Sequence, residues 1–295
     1  MRADRRVFSR LSLSRRIPPD ALHRSNETNL WLVALCGGAA AHELFLIDRF
    51  NAVCAFDVRT GRLNALDVYT PPNGELVSDV AYSAESDSLF VATYYDSGVI
   101  VRSLARRTDG QWSECHRMQL APDGDNSRIC LRVLRDGTLL CSQQYTDGIH
   151  VCRAHSDRSL QHCARVALPA RHRGFDAQLA GNERRLAVAL SDGSDRSVAL
   201  FRVDTEPAAL VQLSRVMLAG ATDALFCGDS LLVLVAIGGY VVEAVSFTTT
   251  DGRLQRDRQL IPRDDRLDIC SWCFVEGTLF AWDWNSKELL LFNAA

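Results

Sequence analysis

Residues 77–104, VSDVAYSAESDSLFVATYYDSGVIVRSL, hold three short apolar runs that are separated by two polar turns. The runs cover residues 77–82, 89–94 and 99–104, and the turns between them carry Asp, Ser and Gly. Apolar runs of this length, bounded by residues that accept a positive φ, predict antiparallel hairpins rather than helices. We therefore interpret this stretch as three consecutive strands of one sheet.

The Leu-containing run in the middle of this stretch recurs along the whole chain. Its copies are Leu44-Phe45, Leu89-Phe90, Leu139-Leu140, Leu186-Ala187, Leu231-Leu232 and Leu279-Phe280, at spacings of 45, 50, 47, 45 and 48 residues. Four strands in a repeat of this length are typical of a β-propeller blade. The sequence thus predicts an all-β fold, a six-bladed β-propeller with four antiparallel strands per blade, as a single domain over residues 1–295. The blades are predicted to start near residues 29, 77, 128, 175, 222 and 268.

The two ends of the chain complement each other in this pattern. The sixth repeat ends with a third strand at residues 288–293, while an extra run at residues 7–17 precedes the first blade. That run resembles the fourth strands, several of which end on Leu or Ile just before a proline. We therefore predict that residues 7–17 complete the last blade and close the ring, which leaves no unpaired inner edge. A mitochondrial transit peptide is the alternative, since residues 1–16 hold six arginines and one acidic residue.

The composition bounds the compartment and the partners. A net charge of −3 and a pI near 6.2 give no global basic field for nucleic acid or an anionic membrane. No apolar run approaches the roughly 20 residues that span a bilayer. The ten cysteines are expected to be free thiols in a reducing compartment. The expected location is cytoplasmic or nuclear, or mitochondrial if residues 1–16 are a transit peptide, and no cofactor is predicted.

Acidic residues recur near the start of the predicted first strands. They are Asp79, Asp176, Asp223 and Asp268, with Asn29 near the same point of blade one. The first strand is innermost, so these carboxylates face the central channel and repel one another unless a cation or an arginine neutralises them. A site for Ca²⁺ or another divalent ion is one interpretation. The commoner use of such a residue is to cap a turn between blades through backbone N–H groups.

The cysteines form two patterns. Four of them are spaced by 11 residues in blade three, with His155 and His162 nearby: Cys130, Cys141, Cys152 and Cys163. Each predicted strand contributes one thiol, and side chains spread over neighbouring strands make a poor metal cage, so buried structural cysteines are predicted. Cys270 and Cys273 have CxxC spacing, but they fall on a predicted strand instead of the helix N-terminus that a redox-active pair needs.

The repeat pattern resembles the β-propeller superfamily, and specifically the WD-repeat-like proteins, over the whole chain. Phe56-Asp57-Val58-Arg59-Thr60-Gly61 looks like the end of a WD-repeat third strand and its turn. The sequence departs from that family because no blade has a clear Gly-His pair and because Trp282-Asp283 falls on a second strand. Residues 89–101 have a weaker likeness to six-bladed propellers of the lactonase and NHL type. Lactonase-like enzymes hold a metal near the channel, so this likeness implies a metal at the acidic residues.

Two functions follow as hypotheses. The first is a non-catalytic protein-interaction scaffold within a multi-subunit complex, because no G-x-S-x-G, phosphate-binding glycine loop or HExxH motif occurs. Aromatic and arginine residues in the turns are the candidate partner-binding residues: Tyr94, Tyr95, Tyr145, Arg171, Arg173 and Trp284. The alternative is a metal-dependent hydrolase of the lactonase-like kind that uses the four aspartates. The expected partners are proteins, with no membrane; nucleic acid is not expected, although the arginine-rich N-terminus could contact RNA.

Overall fold

The computed structural model describes residues 11–17, 35–38, 43–47, 51–60, 62–72, 74–95, 98–120, 129–180, 182–227, 230–237, 241–248, 252–261, 267–275 and 277–294. Within these ranges the regular structure consists of β-strands, numbered β1 to β24 along the chain. This part of the chain contains no helix that is long and apolar enough to cross a membrane.

The strands of the described residues form six antiparallel sheets of four strands, which are the blades. Blade one contains β2 (Leu35–Gly37), β3 (Glu43–Ile47), β4 (Val53–Asp57) and β5 (Arg62–Tyr69), and blade two contains β6 (Leu76–Ser83), β7 (Ser88–Tyr95), β8 (Gly98–Arg106) and β9 (Trp112–Leu120). Blade three contains β10 (Ile129–Val133), β11 (Thr138–Gln143), β12 (Gly148–Ala154) and β13 (Leu160–Ala167), and blade four contains β14 (Arg171–Ala180), β15 (Glu183–Asp192), β16 (Asp195–Thr205) and β17 (Ala208–Met217). Blade five contains β18 (Ala221–Cys227), β19 (Ser230–Ile237), β20 (Val241–Thr248) and β21 (Gln255–Ile261), and blade six contains β22 (Ile269–Val275), β23 (Thr278–Asp283), β24 (Glu288–Ala294) and β1 (Leu11–Ile17).

The first strands of consecutive blades contact one another all the way round, and β22 of blade six contacts β2 of blade one. The predicted six-bladed propeller with four strands per blade is therefore confirmed. Five blades start within a few residues of their predicted positions. In blade one, β2 begins at Leu35, and the predicted start at residue 29 lies outside the described residues.

Six apolar clusters hold the ring together, one between each pair of neighbouring blades. The repeated Leu motif explains this arrangement. Because side chains alternate along a strand, the Leu of each pair packs toward the preceding blade and the next residue toward the following blade. Leu89 thus lies between blades one and two, and Phe90 lies between blades two and three. Both faces of each sheet are buried, which is why the second strands are almost continuously apolar.

The ring is closed by the N-terminal strand, as predicted. β1 pairs antiparallel with β24, from Leu11 opposite Ala294 to Ile17 opposite Leu289. Ile17 is only 1% exposed and packs between blades six and one. The predicted strand covered residues 7–17, of which residues 7–10 lie outside the described residues. Burial of a side chain of this size contributes about 1.5–3 kcal/mol, so the closing strand is anchored by its apolar end.

Candidate functional site

One surface of the ring collects the predicted partner-binding residues. In each blade, the first strand starts and the second strand turns into the third at the same end of the sheet. We call the surface built from these turns and strand starts the upper face. The six predicted residues all belong to it: Tyr94 and Tyr95 at the end of β7, Tyr145 between β11 and β12, Arg171 and Arg173 at the start of β14, and Trp284 between β23 and β24.

Two of these residues, Tyr145 and Arg173, are in direct contact. The Cζ atom of Arg173 lies 5.4 Å from the centre of the Tyr145 ring, within range of a cation–π interaction. Tyr145 is 46% exposed although it is a large aromatic residue. Its φ is +67°, a conformation that residues other than glycine adopt rarely and that clusters at functional sites. The turn therefore presents an aromatic ring with a guanidinium group packed against it.

His172 fixes the position of this pair. The backbone N–H of Tyr145 donates to the His172 carbonyl oxygen at 2.6 Å, and the His172 N–H donates to the Thr146 carbonyl oxygen at 2.9 Å. The fully buried His172 ring is hydrogen-bonded through Nε2 to Ser142 Oγ at 2.8 Å, and it packs edge-on against Phe175. Burial lowers the pKa of His172 to about 4. A neutral histidine thus joins the blade-three turn to the first strand of blade four.

Arg196 lies at the start of β16, at the same end of blade four as Arg173. Burial, and then the positive charge of Arg173, lower the pKa of Arg196. Across the blade-four sheet, Arg171 is opposite Ser191, and Ser191 is opposite Arg196, so Arg171 shares this end of the sheet. Among the described residues, none of these three arginines forms an ion pair, and the buried Nε of Arg173 has no hydrogen-bond partner. Three arginines without an ion pair among the described residues therefore lie at this end of blade four, and Arg173 is the one in contact with Tyr145.

The other predicted partner-binding residues do not join this cluster. Tyr94 is half-buried and packs against the apolar cluster between blades two and three. The side chain of Tyr95 lies outside the described residues. Trp284 lies in blade six, where the Nζ of Lys287 is 3.2 Å from the centre of a Trp284 ring. Of the predicted residues, Tyr145 and Arg173 are in contact, and Arg171 lies at the same end of blade four. Their role in partner binding stays a prediction.

Asp79 and Asp176, two of the predicted metal ligands, meet an arginine. Arg132 on β10 places Nη1 3.2 Å from Oδ2 of Asp79 and Nε 2.9 Å from Oδ1 of Asp176. Asp79 Oδ2 also accepts the Leu131 N–H at 2.8 Å, and Asp176 Oδ2 accepts the Phe226 N–H at 2.7 Å. Each carboxylate thus bonds to the backbone of the next blade. The bonds to Arg132 and to the backbone of the next blade both make each carboxylate a structural link between blades.

Charge compensation in this group is mutual. Burial alone would lower the pKa of Arg132, but the charges of Asp79, Asp176 and Asp223 outweigh it and raise that pKa. Burial raises the pKa of Asp176 against the opposing influence of Arg132. Asp79 and Asp176 are 3% and 7% exposed, so neither could remain charged without a cation nearby. The cation is supplied by the protein itself.

Asp223 and Asp268 have other contacts. Asp223 Oδ2 accepts the Nε1–H of Trp272 from blade six at 3.1 Å, which again links neighbouring blades. Asp268 directly precedes β22, at the start of blade six. Its N–H donates to Asp283 Oδ1 at 2.8 Å, and its carbonyl oxygen accepts the Trp284 N–H at 2.8 Å. The structure therefore brings Asp79, Asp176 and Asp223 toward Arg132 and leaves Asp268 apart.

No group of three or more His, Cys, Asp or Glu side chains is arranged as a metal site among the described residues. Metal binding by Asp79, Asp176, Asp223 and Asp268 stays a prediction. Arg132 is a residue that the sequence analysis missed. One signal was available: blade three has Cys130, not an aspartate, at the position of Asp79, and Arg132 follows two residues later.

The cysteines of blade three occupy one strand each, as predicted. Cys130, Cys141 and Cys152 are buried, Cys163 is exposed, and none of these four is part of a disulfide. Cys130 packs between blades three and four, whereas Cys141 and Cys152 pack between blades two and three. Side chains on opposite sides of a sheet cannot converge on one ion. In blade six, burial raises the pKa of Cys273 to about 12, which is opposite to the activation of a redox thiol.

Solved structures with the same fold include WD40-repeat propellers and a chain of a protein complex. The chain is similar to the β-propeller domain of Cps50 (Swd1) from Myceliophteria thermophila, with 13% identity, a TM-score of 0.60 and coverage of 97% of this chain and 100% of that one. It is also similar to the RRP9 WD40 repeats, with 10% identity, a TM-score of 0.59 and coverage of 97% and 100%. A chain of the mitotic checkpoint complex matches with 11% identity, a TM-score of 0.59 and coverage of 100% and 99%.

The chain is thus a six-bladed β-propeller whose structural neighbours include WD40-repeat propellers. At these identities the likeness concerns the fold alone. No family model and no curated protein matches the sequence.

Proposed function

We propose that this protein is a non-catalytic interaction scaffold of the cytoplasm or nucleus, whose upper face binds partner proteins within a multi-subunit complex. The observation that carries this proposal is the pair of Tyr145 and Arg173. An exposed aromatic ring and an arginine without a counter-ion are the residue types that dominate binding energy at protein interfaces. Since His172 holds both in place, little conformational entropy is lost when a partner binds.

The comparisons support a scaffold without identifying its complex. Similar folds occur in a chain of the mitotic checkpoint complex and in the RRP9 WD40 repeats. The occurrence of this fold in a chain of an assembly supports a scaffold role for this ring.

The hydrolase alternative is less well supported by the interior. A catalytic metal needs several ligands with one coordination position open to substrate. Asp79 and Asp176 instead bond to Arg132 and to backbone N–H groups of the next blades. The interior carboxylates thus already have the partners that a cation would otherwise provide.

Purification of the tagged full chain from its native cell tests the scaffold. The wild type is expected to elute as a larger complex in size-exclusion chromatography, and the double variant Tyr145→Ala, Arg173→Ala is expected to elute alone. The control Arg202→Ala alters an arginine of the same blade that is already paired with Asp204, and it should keep the complex. Elution of the double variant with an unchanged set of partners would contradict the proposal.

Calcium tests the alternative. We expect the melting temperature of the wild type to be the same with calcium and with a chelator. A calcium-dependent rise that Asp176→Asn abolishes would instead favour the metal-dependent hydrolase.

A further inference from the structure

We propose that His150 and His162 of blade three form a binding site for a divalent transition-metal ion of the zinc and copper kind. Nδ1 of His150 lies 3.1 Å from Nε2 of His162. Neither the WD-repeat resemblance nor the similar folds assign a ligand to this pair. The inference goes beyond the proposed scaffold function and does not depend on it.

A β-bulge brings the two histidines to the same side of the blade-three sheet. His150 on β12 is opposite Arg165 on β13, whereas Cys152, two residues further along, is opposite His162. One extra residue, Cys163, is therefore inserted into β13. Because side chains alternate along a strand, regular pairing would turn His162 to the other side of the sheet from His150. The bulge thus directs His162 toward His150, and bulges next to functional sites often redirect a side chain in this way.

The separation of the two ring nitrogens suits a chelated ion. An ion at the usual zinc–imidazole distance of about 2.0–2.1 Å from nitrogens that are 3.1 Å apart would see them at an angle of about 100°. This angle lies between the right angle of octahedral or tetragonal coordination and the wider angle of tetrahedral coordination. The rings are tilted by 53° and their centres are 5.2 Å apart, so they meet through their nitrogens and do not stack. The pair therefore supplies two adjacent ligands.

One ligand of the pair is held by packing and the other is open to solvent. His150 is 5% exposed, so its ring loses little conformational entropy when an ion binds. His162 is exposed, so an ion can reach the shared space of the two nitrogens from the side of that ring. Water, or a side chain of another molecule, can then occupy the remaining coordination positions, as at metal sites that keep an open position.

The charged group beside the pair is already compensated. Arg165 is directly opposite His150, and its Nη2 is paired with Asp147 Oδ1 at 3.0 Å. Its guanidinium lies over Gly148 at the start of β12, whereas His162 approaches His150 from the direction of Cys152. The positive charge of Arg165 is therefore neutralised and directed away from the space between the two histidines.

The ligand types decide which ion the site takes. Imidazole nitrogens suit zinc, copper and nickel, whereas calcium and magnesium need several oxygen ligands. The neighbouring thiols lie elsewhere: Cys152 is 1% exposed and packs into the apolar cluster between blades two and three, and Cys163 donates to the Gln161 carbonyl oxygen of its own strand at 3.8 Å. The site is thus a two-histidine site, distinct from the aspartates that contact Arg132 in the ring.

Titration of the full chain with zinc chloride tests the inference. The reference protein is Cys115→Ser, Cys163→Ser, because these two exposed thiols could bind zinc themselves. It is freed of metal with a chelator, and the chelator is removed. Isothermal titration calorimetry at neutral pH should then show one ion bound per chain in the micromolar range. In this reference, His162→Gln should weaken zinc binding about tenfold or more. His155→Gln alters a histidine of the same blade that contacts Gln161, and it should leave binding unchanged.

NMR spectroscopy tests His150 without a substitution at that buried position. In the reference protein labelled with ¹⁵N-histidine, zinc should shift the signals of His150 Nδ1 and His162 Nε2. The ring signals of His155 should stay in place. This measurement separates metal binding at the pair from a loss of folding in a variant.

Each contrary result overturns the inference. No binding at about millimolar zinc, an equal loss with His155→Gln and His162→Gln, or unshifted His150 signals would exclude the two-histidine site. If zinc binds the wild type but not the reference protein, the ligands are surface thiols and the assignment to the histidines is wrong. None of these outcomes affects the scaffold proposal, because its test uses the Tyr145→Ala, Arg173→Ala variant.

Discussion

Two arginine sites of this propeller use the same residue type in opposite ways. Inside the ring, Arg132 reaches two carboxylates from neighbouring blades, at 3.2 Å to Asp79 and 2.9 Å to Asp176. On the upper face, Arg173 packs against Tyr145 and Arg196 lies at the same end of blade four, and neither has an ion pair among the described residues. The chain thus pairs one arginine with two carboxylates and leaves two others without a counter-ion in its described part.

The difference between the two arginine sites follows from how far the charged groups of each site are exposed to water. A carboxylate buried between blades cannot be solvated, so it stays charged only with a partner inside the protein. A charge at the edge of the ring is partly hydrated and tolerates an unmatched neighbour at little loss of stability. Stability therefore explains Arg132, while it does not explain Arg173 or Arg196. Unmatched charge that is held in place at a surface is typical of a binding site.

Replacement of Arg132 by methionine should give the largest effect. The substitution keeps much of the side-chain volume but leaves Asp79 and Asp176 buried without a cation. Removal of one partner from a buried ion pair destabilises a protein by about 3–5 kcal/mol. Urea denaturation of Arg132→Met should show this loss in the free energy of unfolding, together with a lower midpoint.

The matched control is Arg202→Met, which removes an exposed pair with Asp204 and should change the free energy of unfolding by about 1 kcal/mol or less. If the two variants lose the same amount, the contrast between the interior and the surface is wrong. If calcium restores the stability of Arg132→Met, the channel carboxylates can bind a metal once the arginine is gone.

The pH dependence of stability should show the next effect, through His172. Its pKa is about 4 in the folded protein and about 6.5 when unfolded. Between these values the unfolded chain binds more protons than the folded one, so stability falls as the pH falls through this window. The loss is complete near pH 4 and amounts to about 3 kcal/mol. Above about pH 7 the His172 ring is neutral in both the folded and the unfolded protein, so it no longer contributes to the pH dependence of stability.

The difference between the wild type and His172→Gln isolates this term, because the carboxylates titrate equally in both proteins. Their free energies of unfolding should converge by about 3 kcal/mol between pH 7 and pH 4. Parallel curves would mean that His172 can be protonated within the fold. In that case water reaches the His172 ring more readily than its burial indicates.

The fold was predictable because the Leu pairs have a simple physical cause. Each pair contributes one side chain to the cluster on either side of its blade, for example Leu139 toward blade two and Leu140 toward blade four. A β-sheet that is buried on both faces needs two consecutive apolar residues at this point, and closure of a ring repeats the demand in every blade. This requirement makes the Leu pairs recur at a nearly constant interval in the sequence.

The interior charges were not predictable in the same way. Asp79 and Asp223 occupy equivalent positions, opposite Ala92 and Leu234, whereas Asp176 lies two residues further along its strand, opposite Ala187. Gly174 takes the equivalent position in blade four, where a Cβ atom would collide with the carboxylate of Asp223. β-Bulges near the start of each of these three strands set the register, and a bulge has no clear sequence signal. The four aspartates therefore looked alike in sequence and are not alike in space.

The smallest expected effect tests the upper face itself. Arg173 and Arg196 carry like charges at the same end of blade four, so Arg196→Gln should relieve repulsion and keep or slightly raise the free energy of unfolding, by up to about 0.5 kcal/mol. Arg173→Gln should lose about 0.5–1 kcal/mol, since it also removes the cation–π contact with Tyr145. Urea denaturation at low and high salt checks the cause, because salt screens a repulsion between partly exposed charges and should erase any gain.

A loss of about 2 kcal/mol or more in Arg196→Gln would reverse this interpretation. Arg196 would then stabilise the fold as Arg132 does, and the upper face would hold a structural charge in place of an unoccupied site. An unchanged or raised stability has the opposite meaning. Residues that a fold does not need, but that it holds in place beside a positive-φ tyrosine, are then there for the molecule that binds them.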